Sequence, residues 1–209
     1  MNAIHPTPRP LVMLTVFCLA VGGWQIGEGS WIYAKARLAQ GLLRWAWSRT
    51  LAGEHRVKPW PWADTWPVGR LWVPSHNIDL ILLSGAYGRT LAFGPALLES
   101  SALPGAGSTT ILTGHRDTHF AFLRRLKETD EIVIETPDTS RIHYRVLEHR
   151  IVDARTDSIR LADDGDELIL VTCYPFEAVF PGSPLRYLVR AFPVPSNLPC
   201  SQGRSSSCD

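Results

Sequence analysis

From residue 68 to residue 192 the chain reads as short apolar runs cut apart by Gly, Pro, Asn and Asp. Runs of this length, bounded by turn residues, suit strands better than packed helices. The candidate strands are residues 68–73, 80–83, 109–113, 131–135, 141–152, 167–173 and 185–192. Connectors such as Pro74-Ser75-His76-Asn77 and Asp163-Asp164-Gly165-Asp166 separate them. Within 141–146, Ile142, Tyr144 and Val146 alternate with polar residues, the period of a half-buried strand. Residues 91–100 and 120–127 suggest short helical pieces. Seven or more strands with so little helix predict an all-β sandwich or barrel, and a barrel is the architecture expected.

The chain ahead of this region follows a different pattern. Residues 11–27 (LVMLTVFCLAVGGWQIG) carry no charge, and Arg9 precedes them. As a helix the run spans about 25 Å, slightly short for a bilayer core and long for the core of a signal peptide. The nearest small-x-small site, Ala34-Lys35-Ala36, lies beyond Glu28 and Trp31, so an uncleaved transmembrane signal-anchor is expected over 11–27. Residues 1–10 are then a cytoplasmic N-terminus, with the large domain outside, because long C-terminal domains translocate largely regardless of charge. Residues 28–58 are read as a juxtamembrane helix and linker, with Trp31, Leu38, Leu42 and Trp45 on one face. Pro59 and Pro61 break any helix, and a catalytic domain over 59–195 begins there. Residues 196–209 form a Ser-rich flexible tail. Net charge is +1, from 21 Lys+Arg against 20 Asp+Glu, which gives no basic footprint for nucleic acid.

The chemistry is carried by a cysteine. Cys18 lies inside the apolar run, and Cys200 and Cys208, in the tail, could pair in an oxidising compartment. Cys173 is left unpaired at the end of Leu168-Ile169-Leu170-Val171-Thr172-Cys173. Upstream lies Thr113-Gly114-His115-Arg116, and downstream Leu185-Arg186-Tyr187-Leu188-Val189-Arg190. A thiol, an imidazole and a guanidinium supply a nucleophile, a proton carrier and an anion stabiliser, the minimum for acyl transfer. An arginine does not lose its proton and so cannot be the base. Its role is to hold a carbonyl or the developing oxyanion, while His115 protonates the leaving amine. The chemical rival is a metal site built from His115, His119 and Cys173. His115 follows a strand and a glycine, and no Glu follows it as in His-Glu-x-x-His, so no metal or organic cofactor is expected. His143 and His149, six apart on one strand, share a face but are about 20 Å apart. Asp117 is expected to cap the helical piece at Phe120 rather than orient His115. Asp163, Asp164 and Asp166 read as a turn, not a calcium loop.

Leu170-Val171-Thr172-Cys173, the upstream Thr-Gly-His and the arginine of the following strand resemble the sortases, membrane-anchored cysteine transpeptidases with an eight-stranded β-barrel. Pro59-Trp60-Pro61-Trp62-Ala63-Asp64 and the run from Gly85 to Pro95 extend the resemblance, which covers about Trp60 to Phe192. These segments look most like the sortases of Gram-negative proteobacteria. The resemblance implies Cys173 as nucleophile, His115 as general acid/base and Arg186 as the oxyanion or substrate stabiliser. Arg190, four residues on and on the same face, is the rival. The family pattern sets the arginine five positions before a small residue, here Ala191, which selects Arg186. Thr172 is implied to help hold the substrate.

The implied substrate is an exported protein with a C-terminal Leu-Pro-x-Thr-Gly-like signal. It would be cut between Thr and Gly through a thioacyl-enzyme, and the acyl group would pass to an amine. The implied location is the inner membrane, single-pass, with the catalytic domain in the periplasm. Papain-like peptidases, in which Cys precedes His, and L,D-transpeptidases, with a Ser-His-Gly-Cys segment, fit less well. Another extracytoplasmic cysteine acyl-transferase or peptidase, or a non-catalytic membrane-tethered barrel that binds peptide, are the remaining readings.

Overall fold

The computed structural model describes residues 9–158, 165–178, 180 and 182–194. Cys200, Cys208, Asp163 and Asp164 therefore lie outside the described residues, as do the expected cytoplasmic segment up to residue 8 and the expected tail over 196–209.

With no proline between Pro10 and Pro59, nothing in the sequence interrupts the first helix. It runs as a single α1 (Arg9–Leu51), where the sequence suggested an anchor followed by a separate helix. Gly53, in the left-handed region at φ +94°, follows its end. The helix is long and apolar enough to cross a membrane. Met13, Phe17, Leu19 and Trp24 leave their side chains exposed.

The chain divides into two compact units, one ending at Leu42 and the other starting at Leu43. The second contains the last turns of α1 together with the barrel. There Leu43 and Trp47 are buried with Ile81, Leu83 and Ala96. Trp31, Leu38 and Trp45, grouped on one face by the sequence, are exposed.

Eight strands close the barrel: β1 (Pro67–Val73), β2 (Ile78–Ser84), β3 (Ala96–Leu97), β4 (Thr110–Thr113), β5 (Glu131–Glu135), β6 (Arg141–Asp153), β7 (Leu168–Cys173) and β8 (Leu185–Pro193). Their order around it is β1-β2-β3-β4-β7-β8-β6-β5. β2 with β3 and β4 with β7 are parallel, and the other pairs are antiparallel. Alternation along each strand sends Leu112, Ile134, Tyr144, Leu168, Leu170 and Val189 into the barrel core.

Two expectations fail for local reasons. Residues 91–100 are not helical: α2 (Gly88–Leu91) is a single turn, and Pro95 then stops helix formation. The chain passes directly into β3, the two-residue strand that bridges β2 and β4. His143 and His149 do not share a face either. A bulge between Val146 and Glu148 inserts a residue into β6 and reverses the alternation. His143 meets Glu131 on the outside, while His149 lies opposite the core residue Val189. The piece at 120–127 forms a short 3₁₀ turn, Ala121–Arg125, with no side-chain cap, so Asp117 does not play the capping role expected of it.

Candidate active site

On β7, Leu168 and Leu170 fill the core. Ile169 and Val171 instead join Ile111, Val152, Leu188 and Leu98 in a second apolar layer on the outer face. Cys173 has the parity of Ile169 and Val171, and so ends the strand on that outer face, half-buried. Directly across the antiparallel ladder lies Arg186. Such partners have Cα atoms about 5 Å apart. Arg186 shares the outward parity of Leu188, so thiol and guanidinium stand on the same face of adjacent strands. Arg186 Nη1 donates to the carbonyls of Ser183 (2.7 Å) and Leu185 (2.9 Å). Its Nε and Nη2 donors make no hydrogen bond among the described residues.

Arg190 shares the face but not the place. It is paired with Ile169, four positions down the ladder. Its Nε donates to Glu167, a carboxylate whose side chain is 1% exposed, and Nη1 reaches Glu148. These carboxylates hold the Arg190 guanidinium pKa above its ordinary value, first through the Glu167 hydrogen bond.

The third group arrives from β4, which pairs with β7 in parallel, so both strands end at the same rim. The Gly114 N–H donates to Val171 O (3.2 Å), and the buried Thr172 hydroxyl donates to Gly114 O (2.7 Å). A Cβ built on Gly114 would lie 2.8–3.1 Å from the Phe120 ring, so this position admits no side chain while Phe120 stays in place. Two hydrogen bonds and one ring thus fix the backbone immediately ahead of His115, which is exposed just past the strand. The Phe120 N–H returns to His115 O (2.9 Å) and closes the turn. His119 lies in this turn, and its pKa falls below the ordinary imidazole value, first through burial and then through His115.

The structure therefore gathers Cys173, His115 and Arg186 at one rim of the barrel and leaves Arg190 in an ion pair away from it. Thr172 is 2% exposed, with its hydroxyl committed to the backbone of the histidine segment. Several contributors escaped sequence reasoning. Phe120 was read only as the start of the helical piece over 120–127. Arg116, whose Nη2 donates to Ala178 O (2.6 Å), had no signal beyond its place beside His115. The stack of Tyr174 on Tyr187, with Phe176 edge-on to both, depends on strand pairing that only the fold supplies. Among the described residues no cluster of three or more His, Cys, Asp or Glu has metal-binding geometry.

Comparison with known proteins agrees with this architecture. The family model described as the sortase domain matches residues 71–194, more than half of the chain. Sortase D of Bacillus subtilis (strain 168) is 32% identical over 122 residues, covering 58% of this chain and 61% of that relative. The chain thus spans about three fifths of that relative's length. Sortase A from Corynebacterium diphtheriae has a similar structure, with a TM-score of 0.57 at 30% identity, over 64% of this chain and 63% of that one. Sortase C-1 from Actinomyces oris gives 0.54 at 31% identity, over 62% of this chain and 75% of that one. The chain belongs to the sortase family.

Proposed function

We propose that this protein is a cysteine transpeptidase that cleaves a Leu-Pro-x-Thr-Gly-like sorting signal between Thr and Gly and passes the acyl group to an amine. The observation that carries this reading is the register pair Cys173–Arg186 on the outer face, with His115 at the end of the neighbouring parallel strand. The Cys173 thiolate attacks the threonine carbonyl carbon, and its electrons move onto the oxygen. The Nε and Nη2 donors of Arg186, which make no hydrogen bond among the described residues, can hold that oxyanion. As the tetrahedral intermediate collapses, the C–N bond breaks, His115 gives its proton to the departing glycine amine, and a thioester remains on Cys173. An incoming amine loses a proton to His115, attacks the thioester and frees the thiolate. Water in place of the amine gives hydrolysis. The partly buried Val171 and Leu98 beside Cys173 suit the Leu-Pro portion of such a signal.

The apolar first half of α1 supports anchorage in a membrane, with the N-terminus inside and the barrel on the periplasmic side of an inner membrane. The substrate is then an exported protein carrying the signal near its C-terminus. The test is intact-mass spectrometry of the full chain in detergent, mixed with Leu-Pro-x-Thr-Gly peptides of varied x. A thioacyl adduct with loss of the glycine-side fragment is expected for the wild type and absent from Cys173→Ala. Folded wild-type protein that forms no adduct and cleaves no peptide of the set would sink the reading.

A further inference from the structure

The connection that leaves Cys173 and returns to Arg186 is secured at its ends by the barrel. Tyr174 N–H donates to Leu185 O (3.0 Å), and the Tyr174 and Phe176 rings pack on Tyr187. On the returning side the Ala154 N–H donates to Pro184 O (3.0 Å). The segment turns, with Ala178 N–H reaching Pro175 O (3.4 Å), and this turn is gripped from outside by the residue next to His115. Arg116 Nη2 donates to Ala178 O at 2.6 Å, in a partly buried setting. Arg124 also approaches Glu177, at 3.7 Å, but both side chains are more than half exposed, and a pair of that kind holds little. A charged donor on a partly buried carbonyl is the stronger tie.

We propose that Arg116 is a positioning residue that ties the connection after Cys173 to the His115 turn, holding it as a wall of the acyl-donor cleft. The assignment to an acyl-donor cleft rests on the transpeptidase reading above. Because the tie at Ala178 holds residues 174–178 before substrate arrives, binding does not have to supply the cost of placing them. Loss of the tie therefore weakens substrate binding more than it slows the chemistry at Cys173, and appears in KM rather than in kcat.

The experiment compares the full-length wild type in detergent with Arg116→Ala, Arg116→Gln and Arg116→Lys. Each is assayed with the most rapidly cleaved Leu-Pro-x-Thr-Gly peptide, for iodoacetamide modification of Cys173 across pH, and for Glu-C cleavage after Glu177. Arg116→Ala is expected to raise KM roughly tenfold while kcat stays within about threefold. Its alkylation profile should overlay the wild type's, and Glu-C should cut after Glu177 several times faster. Arg116→Lys, which retains a charged donor, should fall between. Unchanged KM and unchanged proteolysis overturn the proposal. So does a fall in kcat with a displaced alkylation profile, which would mean that Arg116 acts on His115 instead. If Arg116→Ala does not fold, the Gln and Lys variants decide by the same criteria. A wild type that forms no adduct sinks the transpeptidase reading separately, and the tie is then judged by the Glu-C rates alone.

Discussion

Thr172 and Gly114 connect β7 to the His115 turn through one side chain and one missing side chain. The Thr172 hydroxyl sits 2.7 Å from Gly114 O in a buried setting, so Thr172→Val leaves a buried carbonyl short of a partner. A loss of about 1–3 kcal/mol is expected in urea unfolding, with reduced peptide turnover, while Thr172→Ser should recover both. Equal stability of the Val variant and the wild type would show that this bond contributes nothing. Gly114→Ala places a methyl group within 2.8–3.1 Å of the Phe120 ring and should cost about 1–3 kcal/mol through overpacking. Phe120→Leu in the same chain should relieve part of that penalty. Simple additivity of the two substitutions would rule out the clash as its source.

Among the elements, β8 carries two arginines of the same parity with separate duties. Arg190 neutralises Glu167, which is 1% exposed. Arg190→Ala is therefore expected to destabilise the barrel by about 3–5 kcal/mol, since a buried carboxylate loses its partner. Arg186→Ala should keep its urea midpoint near the wild type's and lose peptide cleavage; the reverse pattern would exchange their roles. On the β1–β2 hairpin, the two-pronged hydrogen bond from Arg70 (2.7 and 2.8 Å) lowers the Asp79 pKa from its ordinary 3.8, against the opposing effect of burial. A depressed carboxylate stabilises the fold fully above its unfolded value and loses that contribution as pH falls through the folded one. Asp79→Asn should thus unfold at lower urea than the wild type at about pH 6, with the gap closing as pH drops through and below 3.8. A gap that persists in acid would assign the effect to packing.

Most of these strands were legible in the sequence because each couples an apolar run to turn residues. Glu131–Glu135 was read to the residue, and the strand ending in Cys173 to within one position. What escaped was set by tertiary demand. The two residues of β3 have too few positions to show a period, and the bulge that reverses the alternation of β6 is located only by its register with β8. The unbroken apolar run Leu168-Ile169-Leu170-Val171 shows no alternation, so the outward face of Cys173 appeared only with the fold. Its register with Arg186, rather than Arg190, required the pairing of β7 with β8.

Across the whole molecule, the barrel extends into the last turns of α1. Trp47 is 3% exposed, and its indole N–H points to Glu135 (3.4 Å). Trp47→Ala should cost about 3–5 kcal/mol in the full chain. A fragment starting at residue 55 should melt below one starting at residue 40, and identical melting curves would show that the barrel does not need the helix end. The strand order has a separate consequence for biosynthesis. β8, the last strand among the described residues, lies between β6 and β7. Until it emerges from the ribosome, those two neighbours present open edges able to recruit other chains, and the barrel has a gap. The residue that faces Cys173 arrives in that same closing strand. A nascent chain thus carries the Cys173 thiol before the guanidinium that lies opposite it.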